Sequence, residues 1–146
     1  MRNAIVLLAL LSFLACSNDE NKIESEPLLF GEWQLVERFD GGSLEPNQSV
    51  ENGYTFTFLQ SGIVHTTHPT IGCPDAYEEL QGVYSQNNRT DVSTVSLQLE
   101  CGNEALLIDY EYSFDGEFLL LSELESTCDE GCYNKFKKVG ESQVGE

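Results

Sequence analysis

From residue 32 to residue 139 apolar and polar side chains alternate in one short run after another, and the runs are punctuated by Gly, Asn, Asp or Ser. A period of two places every second side chain on one face of a strand, and no long stretch carries the 3.6-residue stripe of a helix. Eight strands are expected, at residues 32–39, 54–59, 63–67, 80–86, 94–101, 108–114, 117–123 and 132–139. Trp33 and Leu35, then Tyr54, Phe56 and Phe58, then Val95, Leu97, Leu99 and Cys101 each fall on one face of their strands. Sheets that are apolar on one side must enclose a common interior. Asp115-Gly116 and Gln60-Ser61-Gly62 are short turn signals between strong runs, so consecutive strands are expected to pair antiparallel. The expected fold is all-β, a single eight-stranded up-and-down antiparallel barrel.

In such a meander the connections at residues 60–62, 87–93 and 115–116 fall at the end where the first strand starts. Those at 40–53, 68–79, 102–107 and 124–131 fall at the far end. Short loops at one end and long ones at the other are the sequence of a cup, with a tight base and a loop-rimmed mouth.

Ahead of the β pattern, Arg2 precedes an apolar run over residues 4–14 broken only by Ser12, too short to cross a bilayer and suited to a signal peptide. Phe13-Leu14-Ala15-Cys16 resembles the lipobox at which a lipoprotein precursor is acylated and cut, which makes residues 1–15 the signal peptide and Cys16 the carrier of a palmitate-type anchor. Residues 16–27 are polar and acidic with nothing to bury, and read as a disordered tether. Acidic residues just after the cysteine resemble surface-export signals of some Gram-negative lipoproteins, and Ser17 does not resemble an inner-membrane retention signal. The expected location is the outer membrane, on either its periplasmic or its cell-surface face. Residues 28–140 then form one domain, followed by a short disordered tail over 141–146.

The chain carries 25 acidic residues against seven Lys and Arg, a formal net charge of −18. Such a surface repels phosphate backbones and anionic headgroups, which argues against a nucleic-acid partner. Trp33 and the many Tyr and Phe provide a core to bury, so the charge does not signal disorder over the β pattern.

Gly31-Glu32-Trp33 opens the first strand as Gly-x-Trp opens that of lipocalins, at the closed end of the barrel. An aromatic strand follows at Tyr54-Thr55-Phe56-Thr57-Phe58, and the last strand reads Tyr133-Asn134-Lys135-Phe136-Lys137-Lys138. Together they resemble the lipocalin-like domain of small bacterial lipoproteins over most of residues 28–139. The resemblance implies a barrel base at Gly31 and Trp33. An interior lined by Tyr54, Phe56, Phe58, Leu97 and Leu99 is the candidate cavity for one small apolar molecule.

Once Cys16 is set aside, Cys73, Cys101, Cys128 and Cys132 are an even set in a chain expected to reach an oxidising compartment, so two disulfides are the default. Three pairings are possible. Cys73 with Cys101 and Cys128 with Cys132 are favoured, since the first two lie on neighbouring mouth loops and the second two flank a short hairpin loop. The crossed pairing of Cys101 with Cys128 stays open. A zinc site using these thiols with His65 or His68 lacks the Cys-x-x-Cys spacing that would support it. His65 and His68 are spaced for opposite strand faces and read as exposed polar residues, so no metal and no cofactor are expected.

Acidic residues crowd the mouth loops, at Asp40, Glu45, Glu51, Asp75, Glu78, Glu79, Glu104, Glu125, Asp129 and Glu130. They serve solubility first and disfavour anionic ligands second. No nucleophile, base and orienting acid can be assembled by spacing, and no catalytic residue is expected. Two functions follow: a lipid-anchored barrel that binds a small apolar molecule, or a non-enzymatic interaction or scaffold protein whose disulfide-rich acidic mouth contacts another envelope protein.

Overall fold

The computed structural model describes residues 29–42, 47–69, 71, 73, 79–88, 92–124, 128 and 131–141. The expected signal peptide, the tether with Cys16, the tail beyond residue 141, and Glu45, Asp75, Glu78, Glu125, Asp129 and Glu130 lie outside the described residues.

The described chain is all-β, in the order β1 (Gly31–Phe39), β2 (Asn47–Ser49), β3 (Thr55–Phe58), β4 (Ile63–Thr66), β5 (Leu80–Asn88), β6 (Ser93–Cys101), β7 (Glu104–Asp115), β8 (Phe118–Glu123) and β9 (Tyr133–Gly140). Neighbours pair antiparallel in the order β1-β3-β4-β5-β6-β7-β8-β9, and β9 pairs back onto β1. This is a closed eight-stranded up-and-down barrel, as the alternation implies. β2 lies outside the ring, on the upper half of β1, with Glu37 opposite Ser49 and Phe39 opposite Asn47.

Period-two patterning settles each strand's orientation. In β6, Val95, Leu97, Leu99 and Cys101 are buried while Ser96, Gln98 and Glu100 face water. Register carries the apolar face round the wall: Trp33 stands opposite Phe56, Leu97 opposite Ile108, and Leu119 opposite Phe136. The inward residues Trp33, Phe56, Val95, Leu97, Leu99, Leu119 and Phe136 meet in one apolar cluster.

Three expectations need correction. The 40–53 connection contains β2. The 102–107 connection is only the turn Gly102-Asn103, with Cys101 paired to Glu104, so residues 104–107 belong to β7. Gly102 turns at φ 64°, a left-handed value that glycine reaches without a Cβ penalty. The apolar triplet Leu106-Leu107-Ile108 hid the start of this strand: its ends pack on the core while Leu107 is 73% exposed, so alternation is obeyed but cannot be read from hydrophobicity. The far end therefore carries one tight hairpin among its longer loops. The β7–β8 turn is Gly116-Glu117, between Asp115 and Phe118.

Both ends of the barrel are covered. At the base Trp33 is 2% exposed, its Nε1 donates to the Leu29 carbonyl at 2.7 Å, and Leu29 is itself buried. Gly31 permits this arrangement because its φ is +132° and a Cβ there would lie 2.5 Å from Lys138 Cε. Lys138 Nζ lies 5.9 Å from the centre of the Trp33 ring and 5.7 Å from that of Phe30, closing the seam between β1 and β9. At the far end Ile71 is buried and Cys73 packs against the same core.

Replacing Trp33 by Ala is expected to destabilise the barrel by about 3–5 kcal/mol, the usual cost of deleting a buried large aromatic. Trp33→Phe keeps a ring but orphans the Leu29 carbonyl, and is expected to cost less. Urea unfolding curves of the two variants check the order.

Candidate functional site

The five cavity candidates do come together, as neighbours in the interior. Phe56, Phe58, Leu97 and Leu99 are fully buried and Tyr54 nearly so. The Tyr54 ring centre is 5.7 Å from that of Phe56, and Phe56 is 5.8 Å from Phe58. Phe136 lies 5.6 Å from Tyr54 and 5.7 Å from Phe56. Tyr110, which alternation along β7 also points inward, lies 6.2 Å from Phe56, and Tyr84 lies 5.1 Å from Phe58. Distances of this order are direct ring contact, the packing by which an eight-stranded barrel fills itself with side chains.

Above these rings the far end becomes polar. The His68 ring sits 3.9 Å from that of Tyr54, and the Arg38 guanidinium lies 6.0 Å from the Tyr54 centre on the other strand pair. Burial first, and the positive charge of Arg38 second, lower the His68 pKa to about 4, so His68 is neutral at neutral pH. Burial raises the Tyr54 and Tyr110 phenols, which stay protonated. The expectation of two exposed histidines therefore fails for both, and His68 is half-buried against Tyr54. His65 is half-buried on the outer face, with Nδ1 3.3 Å from Glu79 Oε1. Arg38 and Tyr110 were not singled out from the sequence; inward alternation identifies Tyr110, while nothing local marks Arg38.

Both favoured disulfides are present, Cys73–Cys101 with Cα atoms 5.4 Å apart and Cys128–Cys132 with Cα atoms 5.8 Å apart. The first ties Cys73 to the end of β6. The second staples the β8–β9 connection. Among the described residues, no group of three or more His, Cys, Asp and Glu is arranged to hold a metal ion.

The described acidic residues of the mouth do not converge. Asp40 accepts from Gln48 Nε2 at 3.0 Å, Glu79 meets His65, and Glu104 follows the Gly102-Asn103 turn in an exposed position. Open concavities flank the Cys128–Cys132 staple. Glu111, Ser122, Glu123 and Leu124 line one, and Phe39, Asp40, Leu121 and Tyr133 line the other. Comparison with family models, with curated proteins and with solved structures finds no match to this chain.

The Cys73–Cys101 bridge spans a sequence separation of 28, so its loss frees a long loop in the unfolded chain. Replacing both cysteines by Ala is expected to cost about 3–4 kcal/mol, against about 2 kcal/mol for the short Cys128–Cys132 loop, on the chain-entropy estimate. Urea midpoints of the two double variants, with a chelator control, test this. Equal costs would contradict it.

His68 also gives a pH signature. Its ordinary pKa of 6.5 falls to about 4 in the fold, so between these values the unfolded chain binds a proton that the folded chain refuses. Stability should decline as pH falls through that window. His68→Phe keeps a ring on Tyr54 and should flatten the decline relative to the parent, the carboxylates being common to both. A parallel pH profile for variant and parent would exclude the effect.

Proposed function

We propose that this chain is an envelope lipoprotein of lipocalin-like type, held at the outer membrane by an acyl anchor on Cys16, and that its barrel is a non-enzymatic protein-interaction module. The observation that carries the interaction reading is the mutual packing of Tyr54, Phe56, Phe58, Leu97 and Leu99, the residues that would otherwise line a ligand cavity. Ring-against-ring contact supports binding on the outside of the molecule. The covers at both ends, Leu29 with Trp33 and Ile71 with the Cys73–Cys101 bond, support the same reading. So do the open, partly acidic concavities beside the Cys128–Cys132 staple, which give the mouth a contact surface.

The second reading is uptake of a small apolar molecule into the barrel. A closed eight-stranded ring with an apolar interior favours it. Such a ligand would have to displace rings now in contact and lift Ile71 away from the core.

Leu97→Trp separates the two. In a filled barrel the larger side chain has nowhere to go, and the cost is expected at or above the upper end of the roughly 1–3 kcal/mol typical of overpacking. The parent protein should show no saturable binding of the neutral probe N-phenyl-1-naphthylamine. Saturable probe binding by the parent, abolished by a well-folded Leu97→Trp protein, would reverse the order of the two readings.

The anchor has its own test. The mature protein should carry acyl mass on its N-terminal cysteine, and Cys16→Ser should release an unacylated, folded domain. Intact mass spectrometry reads both, and a parent without acyl mass would remove the anchor.

A further inference from the structure

The described cations are segregated round the ring. Every described Lys and Arg, namely Arg38, Lys135, Lys137 and Lys138, sits on β1 or β9. β5 to β8 contain none, and the outer face of β6 and β7 carries Glu100, Asp109 and Glu111, all exposed. In ring order β6 is four strands from β1, so the acidic wall stands opposite the cationic seam.

On that acidic wall two large apolar side chains stand in water. Val83 is 53% exposed and Leu107 is 73% exposed. They are in line: Ile63 pairs with Val83, Val83 with Gln98 and Gln98 with Leu107, so these side chains form one row across β4 to β7. Below it lies an open groove of about 310 Å³, lined by Val83, Ser85, Ser96, Gln98, Leu107 and Asp109. Neither apolar side chain adds to the core, which Leu106 and Ile108 already reach from either side of Leu107. Leu107 in particular breaks the polar-out rule of an antiparallel wall, and exposed apolar surface rimmed by charge is the usual form of a contact site.

We propose that the outer wall of β5–β7 is the docking surface for a partner protein whose contact segment carries an apolar side chain flanked by Lys or Arg. Charge complementarity selects this occupant. The chain's own tether sequence has Asp19, Glu20, Glu24 and Glu26 against Lys22, and the tail ends in Glu146, so both are repelled. A second copy brings its own net charge of −18, and two of its cations are engaged, Lys135 with Asp115 at 3.0 Å and Lys138 with Glu141 at 2.9 Å. A basic segment gains on both counts: its apolar side chain fills the groove between Val83 and Leu107, and its cations face Glu100, Asp109 and Glu111. The inference rests on the interaction reading and moves the contact from the mouth loops to the wall.

The test is a titration of the ¹⁵N-labelled full chain, in an uncharged detergent, with the acetylated and amidated peptide Lys-Leu-Lys-Leu-Lys. Amide shift changes are expected at Val83, Gln98, Leu107 and Asp109, and should fade as salt is raised. Leu107→Ser alters a side chain that is already mostly in water, so the fold persists, and it should weaken binding about tenfold. Asp109→Asn should weaken it as well. Val139→Ser, an exposed apolar residue on the opposite seam, should leave it unchanged, and Lys-Ser-Lys-Ser-Lys should bind the parent no better than the parent peptide binds the Leu107→Ser protein. Equal binding of both peptides, or a Leu107→Ser protein that binds like the parent, would overturn the wall proposal. Shift changes confined to Asp40, Glu123 and Cys132 would overturn it while keeping the interaction reading with its mouth surface. No shift change anywhere with either peptide would count against both.

Discussion

Pairing of the first strand with the last is the constraint on which the rest of the molecule depends. β9 runs back along β1 from Glu32 opposite Gly140 to Phe39 opposite Tyr133, with register irregularities at two places. Without it the meander would be an open sheet with two bare edges and one apolar face in water. With it every ring strand has two neighbours, and the inward side chains meet at a single axis. The seam is also where the described cations gather. Lys138 lies over Trp33 and Phe30, and Lys135 meets Asp115 and lies 4.4 Å from the centre of the Phe118 ring. In a chain of net charge −18, placing the cations at the closure spares it from like-charge repulsion.

Closure decides what the interior can be. Eight strands set a narrow barrel, and Trp33, Tyr54, Phe56, Phe58, Tyr110 and Phe136 bring bulky rings into it from four different strands or their flanks. The two disulfides lie toward the mouth, where one ties Cys73 to Cys101 at the end of β6 and the other ties Cys128 to Cys132 just before β9.

The barrel was legible because alternation is a strong signal wherever one face is fully buried, as along Val95, Leu97, Leu99 and Cys101. Both disulfide partners could be read as well, since a meander sends Cys73 and Cys101 to one end and sets Cys128 and Cys132 across a short loop. β2 escaped notice because Asn47-Gln48-Ser49 buries nothing and is held by pairing with β1 alone. The first residues of β7 were hidden by Leu107, whose exposure makes three apolar residues run together. His68 could not be placed, because what buries it is Tyr54 from another strand and not its own neighbours. Of the candidate site, the identity of the inward residues was readable, whereas whether they line a space or fill it depends on ring-to-ring distances that no sequence pattern encodes.

The most direct test of a filled barrel is native mass spectrometry of the protein purified from its native host without denaturation. A mass equal to the covalent polypeptide with two disulfides, and no bound small molecule, is the result expected. A stoichiometric apolar ligand that survives desolvation and is released only on unfolding would contradict it.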